Sequence, residues 1–441
     1  MNCGDYYIGI GEKKMARPIE YTREELIEIL QGVGVDRLSK RYFDSCKNLP
    51  GSATIIRKFG GWNKALEEAG IMQGIRTGRK PNSKRFCSEQ QYLDDFVFFS
   101  KEYMYDYHKN HSDEQCIKEL IIPFIKFLYE YVARYGWIYP VKTKINEWCD
   151  LIRKLKKMDG NLSSGTWSGN SEIKRYFSSF WDAKLNCFGE SPIKLFYDEK
   201  LLIRFLKYRF GISNGKKYNY VFGGNKVETN ELFDISFKQV RRAFEVNHYT
   251  VSVFKPLLAK WVYTKYGFDG MTTWDPCAGF AGRLLGFIAS FDNGKYIGTD
   301  PNTKLCSELS CLVGDLNLGE RVEIINSMME NFNISDVDLV FTCPPYFNTE
   351  IYCDEETQSS VKYSDKDAWD NGFLKTLLIK SYDSLKVGGK CIIMFDGKNS
   401  SLCQCMAAEV GFKFVEVVTV KNRKTHFTKK TNYEFILVFE R

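Results

Sequence analysis

A short proline-rich turn is the part of the chain best suited to chemistry. The apolar run at residues 337–341 is followed at once by Thr342, Cys343, Pro344, Pro345 and Tyr346. Proline has a fixed φ and no N–H group, so Pro344-Pro345 predicts a stiff turn whose carbonyl groups lack a ladder partner. A rigid acceptor beside a flat aromatic ring suits a planar ligand that carries an amino group. Taken alone, the motif also fits an ordinary loop.

A second motif lies upstream, where a glycine-containing turn joins a predicted strand to a predicted helix. It consists of Asp275, Pro276, Cys277, Ala278, Gly279, Phe280, Ala281 and Gly282. Its glycines allow a tight bend and a close approach of the backbone to a ligand. The helix that follows presents free N–H groups at its start. The phosphate-binding pattern GxGxxG is absent from this turn, which disfavours a dinucleotide.

The next predicted strand, at residues 296–299, ends in Asp300. An acidic residue at the end of the second strand can hold the two hydroxyl groups of a ribose in nucleoside-binding α/β folds. The two motifs and Asp300 therefore indicate a nucleoside-like ligand held beside a planar amino compound.

Together these residues resemble the S-adenosylmethionine-dependent methyltransferases, and within them the DNA enzymes that methylate adenine N6 or cytosine N4. The resemblance covers residues 195 to 441 approximately. It implies an α/β, Rossmann-like class I methyltransferase fold, with a mostly parallel seven-stranded sheet and an antiparallel last strand. It also implies S-adenosylmethionine as the cofactor and a target base that is flipped out of the duplex.

The resemblance carries roles over to single residues. The implied catalytic residues are Cys343, Pro344, Pro345 and Tyr346. The implied cofactor-binding residues are Phe254, Pro256, Asp275, Pro276, Cys277, Ala278, Gly279, Phe280, Gly282, Asp300, Pro301, Ser327 and Glu330.

Cys343 departs from the pattern of this family. The family has Asp, Asn or Ser at this position, where the side chain accepts a hydrogen bond from the target amino group. A thiol is a weak acceptor. The choice between adenine and cytosine therefore stays open. A methyltransferase of RNA or of a glutamine amide, and a DNA-binding protein with an inactive methyltransferase domain, stay open as alternatives.

The amino-terminal region has the composition of a module that binds a polyanion. Residues 1–85 contain 16 Lys and Arg against 10 Asp and Glu, which accounts for most of the net charge of +7. Residues 19–72 resemble the repeat found beside homing endonucleases, a small helical, helix-turn-helix-like DNA binder. Thr22 and Glu25 predict a capped first helix. Phe59, Trp62 and Leu66 are expected to form the core of the repeat.

We expect two groups of residues to contact double-stranded DNA. In the repeat they are Ser52, Thr54, Arg57 and Lys58. In the basic loop of the carboxy-terminal hairpin they are Arg423, Lys424, Lys429 and Lys430. A helical protein–protein module and a solvated loop are the respective alternatives.

The length of 441 residues predicts several domains. The expected order is a tail at 1–18, the repeat at 19–73, a basic linker at 74–90, a helical domain at 91–190 and the methyltransferase domain at 191–441. Helical spacing predicts helices at 92–107, 113–135 and 142–157 in the middle domain, where the dense aromatic residues are expected to form a core. Strands are predicted at 272–275, 296–299, 322–325, 337–341, 390–395, 412–420 and 433–439.

We expect a cytoplasmic protein of a bacterial or phage-infected cell, without a membrane partner, and a monomer or weak dimer. No apolar stretch reaches membrane-spanning length, and the 14 cysteines and 4 histidines lack metal-ligand spacing. The repeat associates the chain with phage or mobile elements. A restriction enzyme as a partner stays open.

Overall fold

In the computed structural model the chain divides into two units, residues 1–75 and 76–441, and each is described by itself. The structure describes residues 21–32, 49–59, 65–66, 68–69, 97–162, 168–209, 218–222, 225–229, 235–246, 249–421 and 433–441. No helix within these ranges is long and apolar enough to cross a membrane.

The first unit contains two described helices, Arg23–Gly32 and Ser52–Phe59. The predicted cap is confirmed, because the Glu25 N–H donates to Thr22 Oγ1 at 3.1 Å and the Thr22 N–H donates to Glu25 Oε2 at 2.8 Å. The core consists of Leu26, Leu30, Ile55, Phe59, Ala65, Leu66 and Ala69. Phe59 and Leu66 are core residues as predicted, and Trp62 lies outside the described residues.

Seven strands form the central sheet of the second unit. They are β1 Thr272–Asp275, β2 Lys295–Asp300, β3 Val322–Asn326, β4 Val337–Thr342, β5 Leu385–Asp396, β6 Lys413–Lys421 and β7 Tyr433–Glu440. Their order across the sheet is β6-β7-β5-β4-β1-β2-β3. Strands β1 to β5 pair in parallel, while β7 runs antiparallel to both β5 and β6. The predicted fold class is confirmed.

Helices connect these strands and cover the sheet. Their bounds are Pro256–Tyr266, Gly282–Ser290, Thr303–Asp315, Ser359–Lys362, Lys366–Trp369, Lys375–Ser384 and Gly397–Val410, with a π-helical turn at Asp370–Leu374 and a 3-10 turn at Met329–Asn331. The buried core on the sheet includes Trp274, Val340, Trp369, Ile393 and Leu437. Burial of such side chains is the main stabilising contribution to the domain.

The region before the sheet is mostly helical. Its helices are Lys101–Asn110, Asp113–Cys116, Ile122–Tyr135, Ile145–Lys157, Asn170–Tyr176, Ser179–Asp182, Pro192–Leu195, Glu199–Arg209 and Phe237–Val246, with a π-helical turn at Ile117–Ile121 and a 3-10 turn at Asn186–Phe188. Three short strand pairs are Val97–Phe99 with Ile235–Ser236, Lys184–Leu185 with Glu350–Ile351, and Tyr218–Phe222 with Asn225–Thr229.

One sequence prediction needs correction in this region. The helix predicted over residues 92–107 begins only at Lys101, because Val97–Phe99 is a strand that pairs with Ile235–Ser236. This pairing and the contact of Trp137 with Phe244 join residues on both sides of residue 190, and the domain boundary there stays a prediction. The expected aromatic core is present there.

A second part of the helical region packs on the seven-stranded sheet. The Glu308 carboxylate accepts hydrogen bonds from both N–H and both hydroxyl groups of Ser178 and Ser179. The rings of Phe177 and Phe180 lie 5.9 and 5.7 Å from the ring of Phe280 in the glycine turn. Residues 177–180 therefore pack against the glycine turn and against helix Thr303–Asp315.

Candidate active site

The glycine turn follows β1 and needs glycine at two positions. Gly279 has φ of +55°, a conformation that favours glycine. Gly282 approaches Phe254 so closely that a Cβ at this position would lie 2.1 Å from the Phe254 carbonyl oxygen. The spacing of the two glycines thus determines both the bend and the contact with the chain before helix Pro256–Tyr266.

A buried ion pair lies beneath this turn. Arg283 Nε donates to Asp275 Oδ2 at 2.7 Å, and Tyr296 Oη donates to the same oxygen at 2.7 Å. Arg283 also donates to the Cys277 carbonyl group. Burial alone would lower the pKa of Arg283, but its ion pair with Asp275 outweighs burial and raises it.

Asp275 is fully buried, and its carboxylate is used in this network. Asp275 therefore positions the glycine turn through these hydrogen bonds. Its direct contact with a cofactor stays a prediction, as do the roles of Pro276, Cys277, Ala278 and Phe280, which lie along the same turn.

Asp300 ends β2 beside the glycine turn. Its Oδ2 accepts from the Gly279 N–H at 3.0 Å, and its Oδ1 accepts from the Asn302 N–H at 3.0 Å. Burial raises the pKa of the Asp300 carboxyl group to about 6, although the two N–H groups oppose this effect. Each oxygen has one of these bonds and retains a further lone pair.

The loop after β3 lies against the end of β2. The Ser327 N–H donates to the Asp300 carbonyl oxygen at 3.1 Å. Glu330 accepts from Lys362 Nζ at 3.2 Å and from Tyr363 Oη at 3.1 Å. Ser327 is thus next to the Asp300 backbone, whereas the Glu330 carboxylate links the loop to helix Ser359–Lys362.

Phe254 and Pro256 lie on the other side of the turn. The Arg283 guanidinium is 5.0 Å from the centre of the Phe254 ring, and that ring is 5.7 Å from Phe341 of β4. Pro256 is the first residue of its helix, a position that the fixed φ of proline favours, and its side chain is buried. Phe254 thereby connects the glycine turn to the strand that precedes the proline turn.

The proline turn leaves the carboxyl end of β4. Pro344 is buried, and Cys343 and Tyr346 are half-buried. Cys343 Sγ lies 3.8 Å from Tyr346 Oη, and Tyr346 Oη donates to Glu434 Oε1 at 3.3 Å. Burial raises the pKa of the Cys343 thiol to about 12, so the sulfur is a neutral S–H group at neutral pH.

Two carboxylates near the turn were missed by sequence reasoning. Glu350 accepts from the N–H and hydroxyl groups of Ser252 at 3.1 and 3.3 Å, and from Tyr352 Oη. Burial raises its pKa above the ordinary carboxyl value. Glu434 stands at the start of β7, opposite Asp396 of β5. The sequence around Glu434 indicates only that it lies at the start of the last strand, and does not indicate its contact with Tyr346.

Strands β1 and β4 are neighbours, with Thr273 opposite Leu339 and Trp274 opposite Val340. The glycine turn and the proline turn therefore leave the same edge of the sheet side by side. Carboxyl ends of adjacent parallel strands are where open α/β sheets bind their ligands. The arrangement can hold one ligand along the glycine turn and Asp300, and a second, planar one at the proline turn.

Among the residues expected to contact DNA, the described ones fall into two groups. Arg57 and Lys58 are exposed and Thr54 is half-exposed on helix Ser52–Phe59. Ser52 is buried, with 7% exposure, which corrects the expectation that it faces outward. It begins the helix on the side of the core residues Ile55 and Phe59. Arg423, Lys424, Lys429 and Lys430 lie outside the described residues.

The carboxy-terminal part of the chain, residues 337–441, matches the family model described as DNA methylase, for methylation at N6 or N4. This segment is similar to the DNA methylase family. It contains β4 to β7, the proline turn and Glu434. The match confirms the predicted family and with it the class of enzyme, a methyltransferase that uses S-adenosylmethionine. Residues 21–72 match the homing endonuclease associated repeat.

Three solved methyltransferases are among the similar structures. A precorrin-6y C5,15-methyltransferase from Geobacter metallireducens has 15% identity and a TM-score of 0.32, covering 42% of this chain and 87% of its own. A putative RNA methyltransferase from Pyrococcus horikoshii has 16% identity and a TM-score of 0.31, covering 42% and 82%. A geranyl diphosphate methyltransferase in complex with S-adenosylmethionine has 11% identity and a TM-score of 0.32, covering 42% and 85%. No curated protein matches the sequence.

The residues beside the DNA methylase segment fit S-adenosylmethionine. Asp300 retains lone pairs that can accept the two ribose hydroxyl groups. A Cβ placed on Gly279 would lie 3.8 Å from the Cys277 carbonyl oxygen and 3.9 Å from Arg283 Nη2, which is ordinary van der Waals contact, so the positive φ is what favours glycine here. The chain thus offers a polar anchor for the cofactor, beside a glycine turn, at the edge of the sheet.

Proposed function

We propose that the protein transfers a methyl group from S-adenosylmethionine to the exocyclic amino group of adenine or cytosine in double-stranded DNA. One observation carries the proposal: the proline turn of the DNA methylase segment leaves the sheet beside the glycine turn and Asp300. A methyl donor along the glycine turn would then lie next to a base at Tyr346.

The reaction does not require a covalent bond between the protein and the base. S-adenosylmethionine, when bound, supplies an electrophilic methyl group on a sulfonium. The amino lone pair of the base is conjugated with the ring and is a poor nucleophile. The Pro344 carbonyl group accepts one amino hydrogen, which draws the lone pair out of conjugation and aligns the nitrogen. Tyr346 stacks on the base after it is flipped out of the duplex.

The cofactor would be held by residues on both sides of the glycine turn. Asp300 accepts the ribose hydroxyl groups, and Gly279 allows the backbone to approach the ligand. Ser327 and Pro301 lie beside Asp300 at the end of β2 and β3. Phe254 covers the far end of the turn.

Methylation at a cytosine ring carbon does not suit this site. That reaction needs a thiolate to attack the base, and a thiolate requires a low pKa. Burial instead raises the pKa of Cys343 to about 12. Cys343 is therefore assigned to the hydrogen-bonding position next to the target amino group.

DNA would be bound mainly through the basic parts of the chain. The exposed Arg57 and Lys58 of the repeat can contact phosphates. The hairpin loop with Lys424, Lys429 and Lys430 is proposed to contact the substrate backbone near the proline turn.

A second candidate is a DNA-binding protein with an inactive methyltransferase domain. It is favoured by one observation, the neutral thiol of Cys343 at a position that needs a hydrogen-bond acceptor.

Transfer of labelled methyl groups separates these candidates. The purified protein is incubated with tritiated S-adenosylmethionine and, in parallel, with PCR-amplified DNA, in vitro transcribed RNA or a protein extract. We expect label in the DNA only. Label in RNA or protein would contradict the DNA proposal, and DNA binding without any label transfer would establish the inactive alternative.

A further inference from the structure

The proline turn lacks a strong second hydrogen-bond acceptor for the target amino group, and a neighbouring residue can supply it. An exocyclic amino group carries two hydrogens, and the Pro344 carbonyl group accepts only one of them. Cys343 occupies the place of the second acceptor, but a neutral thiol accepts hydrogen bonds weakly. The second hydrogen therefore needs a stronger acceptor from elsewhere in the site.

The hydrogen bonds at the turn lead from Cys343 to a carboxylate. Tyr346 Oη donates its hydrogen to Glu434 Oε1 at 3.3 Å. The thiol, 3.8 Å from Tyr346 Oη, must then be the donor in that contact. The acceptor capacity at this point of the site thus lies on Glu434.

The topology of the sheet brings Glu434 to the reacting edge. Strand β7 is antiparallel to β5, so its first residues stand at the edge where the parallel strands end. Glu434 lies opposite Asp396, the last residue of β5, and β5 is the neighbour of β4. One strand, β5, therefore lies between the strand of Glu434 and the strand that carries the turn.

The other carboxylates at this edge have other partners. Glu350 accepts three hydrogen bonds from Ser252 and Tyr352. Asp396 accepts from both the N–H and the amide group of Asn399 at the start of helix Gly397–Val410. Within the described residues, Tyr346 is the hydrogen-bond partner that the structure gives Glu434.

We infer that Glu434 is the second hydrogen-bond acceptor for the target amino group, a role that rests on the proposed function. As the nitrogen forms its bond to the methyl carbon, the S–C bonding pair stays on sulfur and the nitrogen acquires positive charge. The Glu434 carboxylate stabilises that charge and accepts the proton that the nitrogen releases, which then passes to water. Glu434 is in this account a catalytic residue.

The test replaces the carboxylate by its isosteric amide. Glu434→Gln keeps the hydrogen bond from Tyr346 and loses the charge. We expect methyl transfer to PCR-amplified DNA to slow about 100-fold, the lower range for a positioned acid–base group. The dissociation constants for S-adenosylmethionine and for DNA should stay unchanged, since neither ligand needs this charge to bind. Glu440→Gln, at the other end of β7, is the matched control.

A second variant separates the catalytic role from a structural one. Adding Cys343→Asp to Glu434→Gln restores a carboxylate at the turn and should recover at least about tenfold in rate, as coupled neighbours do. Full activity of Glu434→Gln, an equal loss of cofactor binding, or failure of Cys343→Asp to restore activity would each overturn the inference. If the wild-type protein itself transfers no label, the proposed function fails first, which is a distinct outcome.

Discussion

At the scale of single residues, burial sets the charge of the groups that do the chemistry. The ion pair of Asp275 with Arg283 lies fully inside the protein and holds the glycine turn from below. Burial raises the pKa of the Asp300 carboxyl group to about 6 and the pKa of the Cys343 thiol to about 12. Neighbouring residues of the same site therefore differ in charge at neutral pH because of their surroundings.

Asp300 gives cofactor binding a pH dependence. Its pKa is raised to about 6, so the free protein binds a proton there below this pH. The ionised form accepts the ribose hydroxyl groups, and it is lost as the pH falls through 6. Affinity for S-adenosylmethionine, measured by calorimetry, should be about tenfold weaker at pH 5 than at pH 7. Asp300→Asn should bind weakly at both pH values, and an unchanged pH dependence in that variant would contradict the assignment.

Asp275 should matter for stability. Asp275→Asn keeps the shape of the side chain but leaves Arg283 buried without its counter-charge. The free energy of unfolding in urea should fall by about 3–5 kcal/mol. The control Asp336→Asn changes an exposed carboxylate just before β4 and should shift the free energy of unfolding by no more than about 0.5 kcal/mol. Equal stability of the two variants would show that the ion pair does not support the turn.

At the scale of elements, the turns after β1 and β4 form the site, and their strands were predictable. The apolar run at 337–341, which the proline turn follows, became β4 Val337–Thr342. Glu434 and Glu350 were not predictable, because their partners Tyr346 and Ser252 are 88 and 98 residues away in the chain. No local periodicity encodes such contacts. The packing of Phe177 and Phe180 on Phe280 escaped prediction for the same reason.

The glycine turn provides the test at this scale. Gly282→Ala places a methyl group 2.1 Å from the Phe254 carbonyl oxygen, so that segment must move. We expect a loss of about 1–3 kcal/mol of stability, as for other overpacked sites, together with weaker cofactor binding. Gly314→Ala, in helix Thr303–Asp315 with no neighbour within 4 Å, should leave binding unchanged and stabilise the helix. Equal behaviour of the two variants would contradict the close approach.

At the scale of the whole molecule, a methyltransferase domain is combined with a repeat of a different family. The boundary between units at residues 75 and 76 lies close to the end of the predicted repeat. Its capped helix was predictable from Thr22 and Glu25. The burial of Ser52 was not predictable, because a serine at the start of a helix can lie on its buried face or on its exposed face. The functional proposal assigns DNA binding to the repeat and the reaction to the sheet.

The repeat should therefore control DNA affinity without changing the chemistry. Arg57→Gln with Lys58→Gln removes two exposed charges, which should weaken DNA binding and reduce the slope of log affinity against log salt by about two. Lys154→Gln with Lys157→Gln, exposed on helix Ile145–Lys157, is the control for net charge. An equal effect of both pairs in fluorescence anisotropy would show that the repeat has no special role.

The most direct test of the central claim identifies the methylated atom. PCR-amplified DNA, which contains no methylated adenine or cytosine, is incubated with the protein and S-adenosylmethionine, digested to nucleosides and separated by chromatography with mass detection. We expect N6-methyladenine or N4-methylcytosine, and we expect the methylated base to be lost when Tyr346 is changed to alanine. Recovery of 5-methylcytosine, or of no methylated nucleoside at all, would contradict it.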